Sequence, residues 1–140
     1  MKTPFTGSCL CGAVRYECNA KPIVMGNCHC RDCQKATGTA FSAGMLVPRD
    51  AVTVVGEVKY YNVKGDSGGI VGRGFCPTCG SQLFSQPPVR ELMGIMAGSL
   101  DEPSWFQPSM DGYTDSAQPW DYMNPDLPKY AKMPSATTAD

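Results

Sequence analysis

Seven of the eight cysteines in this chain fall into three chelating clusters, and no other feature limits its fold as tightly. Cys9 and Cys11 form C-x-C, Cys28, Cys30 and Cys33 form C-x-C-x2-C, and Cys76 and Cys79 form C-x2-C, with Cys18 standing alone. In an extended chain residues i and i+2 share a face, so C-x-C aims two thiolates one way. C-x2-C in a tight turn wraps two thiolates around one ion, as in zinc ribbons. Gly12 and Gly80 follow two of these pairs and permit the positive-φ backbone of such knuckles. Ordinary core cysteines would not be spaced like this. A thioredoxin-type redox pair normally opens a helix, whereas FCPTCGSQLF reads as strand, knuckle, strand.

Combining the clusters by ligand number gives two unequal sites. Cys9, Cys11, Cys76 and Cys79 supply the four donors of a closed structural zinc site. Cys28, Cys30 and Cys33 supply three, and an open fourth position is how catalytic zinc is usually held. Cys18, on the strand-like VRYEC, reads as a small buried residue, with ligation as the alternative. His29 is the one histidine. Its side chain should point away from the face shared by Cys28 and Cys30, so it is expected to support or pack rather than ligate.

At 140 residues the chain is expected to be a single domain, 1–140, with a core over about 5–134. Twelve Lys and Arg against 13 Asp and Glu leave it nearly neutral, which gives no basis for a nucleic-acid surface. No uncharged apolar run approaches the roughly 18 residues that span a bilayer. MKTPFTGSCLCG lacks an apolar h-region, so no signal peptide and a reducing cytoplasm are expected.

The 15 glycines and 12 prolines favour turns and short strands. Strands are predicted at AVRYEC, PIVMGNCHC, FSAGMLV, VTVV, VKYYNV, GIVGRGF, SQLF and ELMGIMAG, and one or two helical turns at RDCQKATG ending on Gly38. This is an all-β pattern of mainly antiparallel short strands, which by spacing suggests a sandwich or barrel. From Glu102 prolines preclude long elements. The aromatics Trp105, Phe106, Tyr113, Trp120, Tyr122 and Tyr130 nevertheless argue for a packed, irregular C-terminal segment that covers the core or walls a pocket over the three-cysteine site. The last residues, SATTAD, are expected to fray.

GSCLCGAVRYE (7–17), CHCRDCQKATGTAFSA (28–43), LVPRDAVTVVGE (46–57), RGFCPTCGSQLF (73–84) and the tail AGSLDEPSWFQP, SAQPWDYM and LPKYAKMP together resemble the glutathione-dependent formaldehyde-activating enzyme (GFA) family, also called the centromere protein V/GFA domain. The resemblance runs from about Gly7 to Pro134. It implies a β-tent fold related to zinc ribbons and two Zn2+ per chain. By position, Cys9, Cys11, Cys76 and Cys79 match the structural site, and Cys28, Cys30 and Cys33 the catalytic one. The implied activity joins glutathione to formaldehyde, giving S-hydroxymethylglutathione, and is classed as a carbon–sulfur lyase. The pattern departs at MDGYT (110–114), where many relatives carry a histidine and this chain has Asp111-Gly112.

Sulfur donors make the three-cysteine site soft, so a substrate thiol suits its fourth position, where it would be deprotonated and could attack an aldehyde carbon to form a hemithioacetal. Lys35 and Arg73 are the candidate cations for glutathione carboxylates, with Arg31 a weaker one and Thr37, Thr39 and Gln82 polar candidates. The expected partners are a small thiol and an aldehyde, with no nucleic acid and no membrane, and a homodimer as the expected assembly. A non-catalytic zinc-binding module and a thiol or redox sensor are the alternatives to an enzyme.

Overall fold

The computed structural model describes residues 3–133. The expectations for Pro134 and for SATTAD lie outside these. The chain divides into two compact units, Met1–Val24 with Met45–Phe106, and Met25–Gly44 with Gln107–Asp140.

The first unit is built from antiparallel ladders. β1 (Phe5–Ser8), β2 (Arg15–Cys18) and β5 (Val52–Val55) form a three-stranded sheet in the order β1-β2-β5. Inward and outward residues alternate: Phe5, Tyr16 and Cys18 are buried while Arg15 and Glu17 face water. Gly7 lies opposite Tyr16 in this ladder. A Cβ there would fall 2.1 Å from the Tyr16 hydroxyl and 2.5 Å from the Ser99 carbonyl, so only glycine fits. The Tyr16 hydroxyl bonds Ser99 Oγ at 2.7 Å, and its ring meets Phe84 edge-on at 5.2 Å.

β6 (Lys59–Lys64), β7 (Ile70–Phe75), β8 (Gln82–Gln86) and β9 (Leu92–Met96) continue as an antiparallel meander. Their buried residues, Leu83, Phe84, Met93 and Ile95, form a core with Val14, Met45, Val47 and Leu100. The β7–β8 register shifts between Gly74 and Phe75. Such a bulge re-aims the strand, and here it does so immediately before Cys76.

The second unit holds β3 (Val24–Cys28), the helix α1 (Arg31–Thr37) and the two-residue strand β10 (Asp111–Gly112). β4 (Ser42–Pro48) runs from this unit into the first. β10 pairs parallel with β3, setting Asn27 against Asp111 and Cys28 against Gly112. Cys30 is the N-cap of α1, its sulfur accepting from the Cys33 amide, and Gly38 ends it in the left-handed region at φ 71°. The helix therefore spans what the sequence predicts.

The class is all-β, with α1 the single α-helix among the described residues and an irregular C-terminal segment of 3-10 turns. The barrel suggested by strand spacing does not form. Among the described residues β1 and β5 are the edges of the three-stranded sheet, and β6 is a free edge of the meander. The C-terminal aromatics also divide. Trp105 stacks edge-on with Phe5 at 5.1 Å, but Trp120 and Tyr122 are 71% and 84% exposed. Between them the Asp121 side chain is 2% exposed, its amide closing a turn onto Gln118 O at 3.1 Å.

No helix among the described residues is long and apolar enough to cross a membrane.

Candidate metal centres

In the first unit, the sulfurs of Cys9, Cys11, Cys76 and Cys79 all lie within 4.8 Å of one another. Cys9 and Cys11 Sγ are 3.7 Å apart, and Cys11 and Cys76 Sγ 3.8 Å. A disulfide would require about 2.05 Å, and all eight cysteines are free. A tetrahedron with metal–sulfur bonds of about 2.3 Å has edges of about 3.8 Å. The donor set therefore fits a single tetrahedral ion of zinc's size.

Local chain geometry builds this cage. Gly12 at φ 81° and Gly80 at φ 78° turn the backbone just past each pair. Val14 N–H donates to Cys9 Sγ at 3.2 Å, and Cys79 N–H to Cys76 Sγ at 3.5 Å. Ser81, which the sequence does not mark out, joins the two knuckles. Its hydroxyl accepts from Leu10 N–H at 3.0 Å and lies 3.1 Å from Cys79 Sγ. The Ser81 hydroxyl, with the Ser81 and Cys11 amides, lowers the Cys79 thiol to about 5. At Cys11 the Ala13 amide lowers the thiol, but lost hydration and the neighbouring sulfurs outweigh it and push the thiol up to about 11. Sulfurs this close resist sharing negative charge unless a cation sits among them.

In the second unit, Cys28, Cys30 and Cys33 form the other cluster, their sulfurs also within 4.8 Å of one another. The order strand, two-residue link, helix creates it: β3 ends on Cys28, Cys30 caps α1, and Cys33 lies in the first turn. The Cys30 and Cys33 sulfurs, and then burial, drive the Cys28 thiol far above its ordinary value. Among the described residues no fourth His, Cys, Asp or Glu joins this cluster. Cys18 belongs to neither cluster. It is fully buried in the first unit, and its thiol donates to Ala20 O at 3.4 Å.

His29 is also outside both clusters, and its surroundings explain why. It is 1% exposed. Its Nδ1 lies 2.7 Å from Asp121 Oδ2 and its Nε2 2.9 Å from Asp111 Oδ1. Both ring nitrogens are thus taken up by carboxylates, which leaves neither turned to a metal. Asp111 Oδ1 also accepts from Asn27 Nδ2 at 3.1 Å, and its Oδ2 pairs with Lys129 Nζ at 2.8 Å. Burial pushes the Asp111 carboxyl up, but Lys129, His29 and Asn27 together hold it below the usual carboxylate range. The cluster sets the His29 ring and the Lys129 ammonium against two carboxylates. The sequence reading missed these partners. The available signal was a lone histidine between two cysteines that face the other way, together with acidic residues in an aromatic-rich tail.

The remaining candidates fall as follows. Lys35 is exposed in the last turn of α1, two residues beyond Cys33. Arg31 is held by Gln34 Oε1 at 2.6 Å. Thr37 Oγ1 donates to Cys33 O at 2.8 Å, and Thr39 Oγ1 to Phe41 O at 2.6 Å. Arg73 lies on β7 and Gln82 on β8, both in the first unit.

Comparison with known proteins agrees with the cysteine pattern. The family model described as glutathione-dependent formaldehyde-activating enzyme matches residues 4–116. Open sheets with paired cysteine knuckles that could hold a metal thus define an all-β class, and within it this chain belongs to the glutathione-dependent formaldehyde-activating enzyme family. A Penicillium rubens protein named "Putative glutathione-dependent formaldehyde-activating enzyme" is 32% identical over 127 residues, covering 81% of this chain and 66% of that protein. A Colletotrichum graminicola protein of the same name is 26% identical over 118 residues, covering 75% of this chain and 61% of that one. The chain thus spans about two thirds or less of the length of these curated relatives. A crystal structure of a Rhodobacter sphaeroides protein matches in fold at a TM-score of 0.57 and 18% identity, covering 89% of this chain and 98% of that one.

Proposed function

We propose that residues 1–140 act as one zinc domain that joins a small thiol to a small aldehyde, with glutathione and formaldehyde as the pair and S-hydroxymethylglutathione as the product, a carbon–sulfur lyase in the reverse direction. The names of the family and of its relatives support the substrate pair. The observation that carries the reading is the unequal donor count: four converging sulfurs in one cluster, three in the other, with the nearest histidine committed elsewhere.

Cys9, Cys11, Cys76 and Cys79 would hold a structural zinc, and Cys28, Cys30 and Cys33 a catalytic one. When bound by three thiolates, zinc supplies a soft position at which a substrate thiol loses its proton near neutral pH. The chain's own part is orientation. β3 and α1 fix where the three sulfurs point, so the thiol and the aldehyde meet in a defined geometry rather than by collision. Both His29 ring nitrogens are engaged by carboxylates, so water is left to carry the proton to the hemithioacetal oxygen. Lys35 offers a point charge for a glutathione carboxylate on the same unit as the three cysteines. Arg73 belongs to the other unit and is a candidate carboxylate partner on its chemistry alone. The chain is taken to work in the cytoplasm, as a homodimer, without nucleic acid or membrane.

Exchange NMR on mixtures of glutathione and formaldehyde tests the reading directly. Zinc-loaded protein should speed exchange between free formaldehyde and its glutathione adduct above the buffer rate. An unchanged exchange rate would discard this substrate pair.

A further inference from the structure

Among the described residues, a buried polar cluster around His29 stands outside both sets of sulfurs, yet it is tied by its backbone to one of them. His29 sits between Cys28 and Cys30, and every hydrogen-bonding group it has is taken by another segment. Its amide donates to Gly112 O at 3.0 Å. Its carbonyl accepts from Gln34 Nε2 at 2.6 Å, and the same Gln34 nitrogen reaches Ser116 O at 3.0 Å. Its ring is held by Asp111 and Asp121 and packs against Phe41, with ring centres 5.0 Å apart. Gln34 Oε1 accepts from Gln118 Nε2 at 3.1 Å. The segment 111–121 therefore grips the link between two sulfurs at one residue, from both sides of its ring and from its backbone.

We propose that His29 is a positioning residue for the three-cysteine centre, and that Asp111 and Asp121 act through it. The geometry has a chemical logic. Three thiolates held close together repel one another, and a short C-x-C link can relax by turning one sulfur outward. A link pinned by an anchored imidazole cannot rotate without breaking buried charge-assisted hydrogen bonds. The four-cysteine cage has less need of such a brace, because a fourth sulfur closes it. The inference rests on the reading that Cys28, Cys30 and Cys33 hold a metal, and it adds which residue outside the ligand set keeps them in register.

The test uses the whole chain, loaded with Co2+ or Zn2+ and titrated against a competing chelator. Wild type should hold two ions per chain, each with a Co2+–thiolate spectrum. His29→Gln should weaken the ion of the three-cysteine centre about tenfold or more, in line with losses on removing the groups that orient metal ligands. It should also alter that centre's Co2+ ligand-field bands while leaving those of the four-cysteine site unchanged. Asp121→Asn keeps the shape of the side chain and weakens one ring contact, so it should give a smaller loss at the same centre. It also decides the matter if His29→Gln does not fold. Wild-type affinity and bands at the three-cysteine centre in a folded variant would overturn the proposal, as would equal weakening of both sites. Wild type that binds a single ion would sink the metal reading itself, and the positioning role with it.

Discussion

His29 Nε2 lies 2.9 Å from Asp111 Oδ1, across 82 residues of sequence, and both side chains are almost wholly buried. Asp111 in turn pairs with Lys129 at 2.8 Å. Removing one member of a buried charge pair leaves the others uncompensated, at a cost of about 3–5 kcal/mol. Asp111→Asn should therefore destabilise the protein by about 3 kcal/mol at neutral pH, read from the shift in its urea midpoint. The pH dependence has a definite sign. The folded-state carboxyl is held below its ordinary value of 3.8. Its contribution is present above that value and is lost as pH falls through the lower folded one. The gap between wild type and variant should close in strong acid, and a gap that persists there would show that charge is not the cause.

Serine substitutions should separate the two clusters. Cys30 caps α1 through its sulfur, and serine is among the best N-caps. Cys30→Ser should keep the fold while losing one metal ion and all thiol–aldehyde exchange. Cys76 is fully buried at the head of a knuckle, and in a structural site metal binding is folding energy. Cys76→Ser should unfold the first unit. Circular dichroism with metal analysis distinguishes the two, and equal loss of structure in both would mean that both sites are structural.

Gly7 should tolerate no side chain. An added Cβ meets the Tyr16 hydroxyl at 2.1 Å and its ring carbon at 2.3 Å. Both partners are fixed, since the hydroxyl is bonded to Ser99 and the ring packs on Phe84. Gly7→Ala should cost about 1–3 kcal/mol, the usual range for forcing atoms into a packed core. A melting temperature within a degree of wild type would contradict this.

Lys35 is exposed in the last turn of α1, so Lys35→Ala should leave stability near wild type. If its ammonium meets a glutathione carboxylate, the variant should raise KM for glutathione about 3- to 10-fold, as for loss of one charged contact, with kcat little changed. Added salt should blunt the difference. An unchanged KM would release Lys35 from substrate binding.

Much of this architecture could be read from the chain itself, for identifiable reasons. VTVV and RDCQKATG are bounded by turn and capping residues, so β5 and α1 appear where expected. The cysteine clusters were legible because chelating spacing is local. β1 and β10 were not. FTGS alternates for only four residues, and Asp111-Gly112 becomes a strand only because β3 is there to pair with it. The barrel expectation failed because strand spacing fixes length and number but says nothing of closure. The His29 cluster was hidden for a related reason: its partners lie 82 and 92 residues away, and no periodicity connects them.

The order of the donors along the chain also bears on how the protein matures. Every donor of the four-sulfur cage precedes β8, so it can fill while the ribosome is still making the rest. The trio near residue 30 emerges earlier still, yet the aspartates that steady it come last. A nascent chain thus carries three unbraced thiols long before Asp111 and Asp121 are made. In that interval they are most open to oxidation or to capture by the wrong ion.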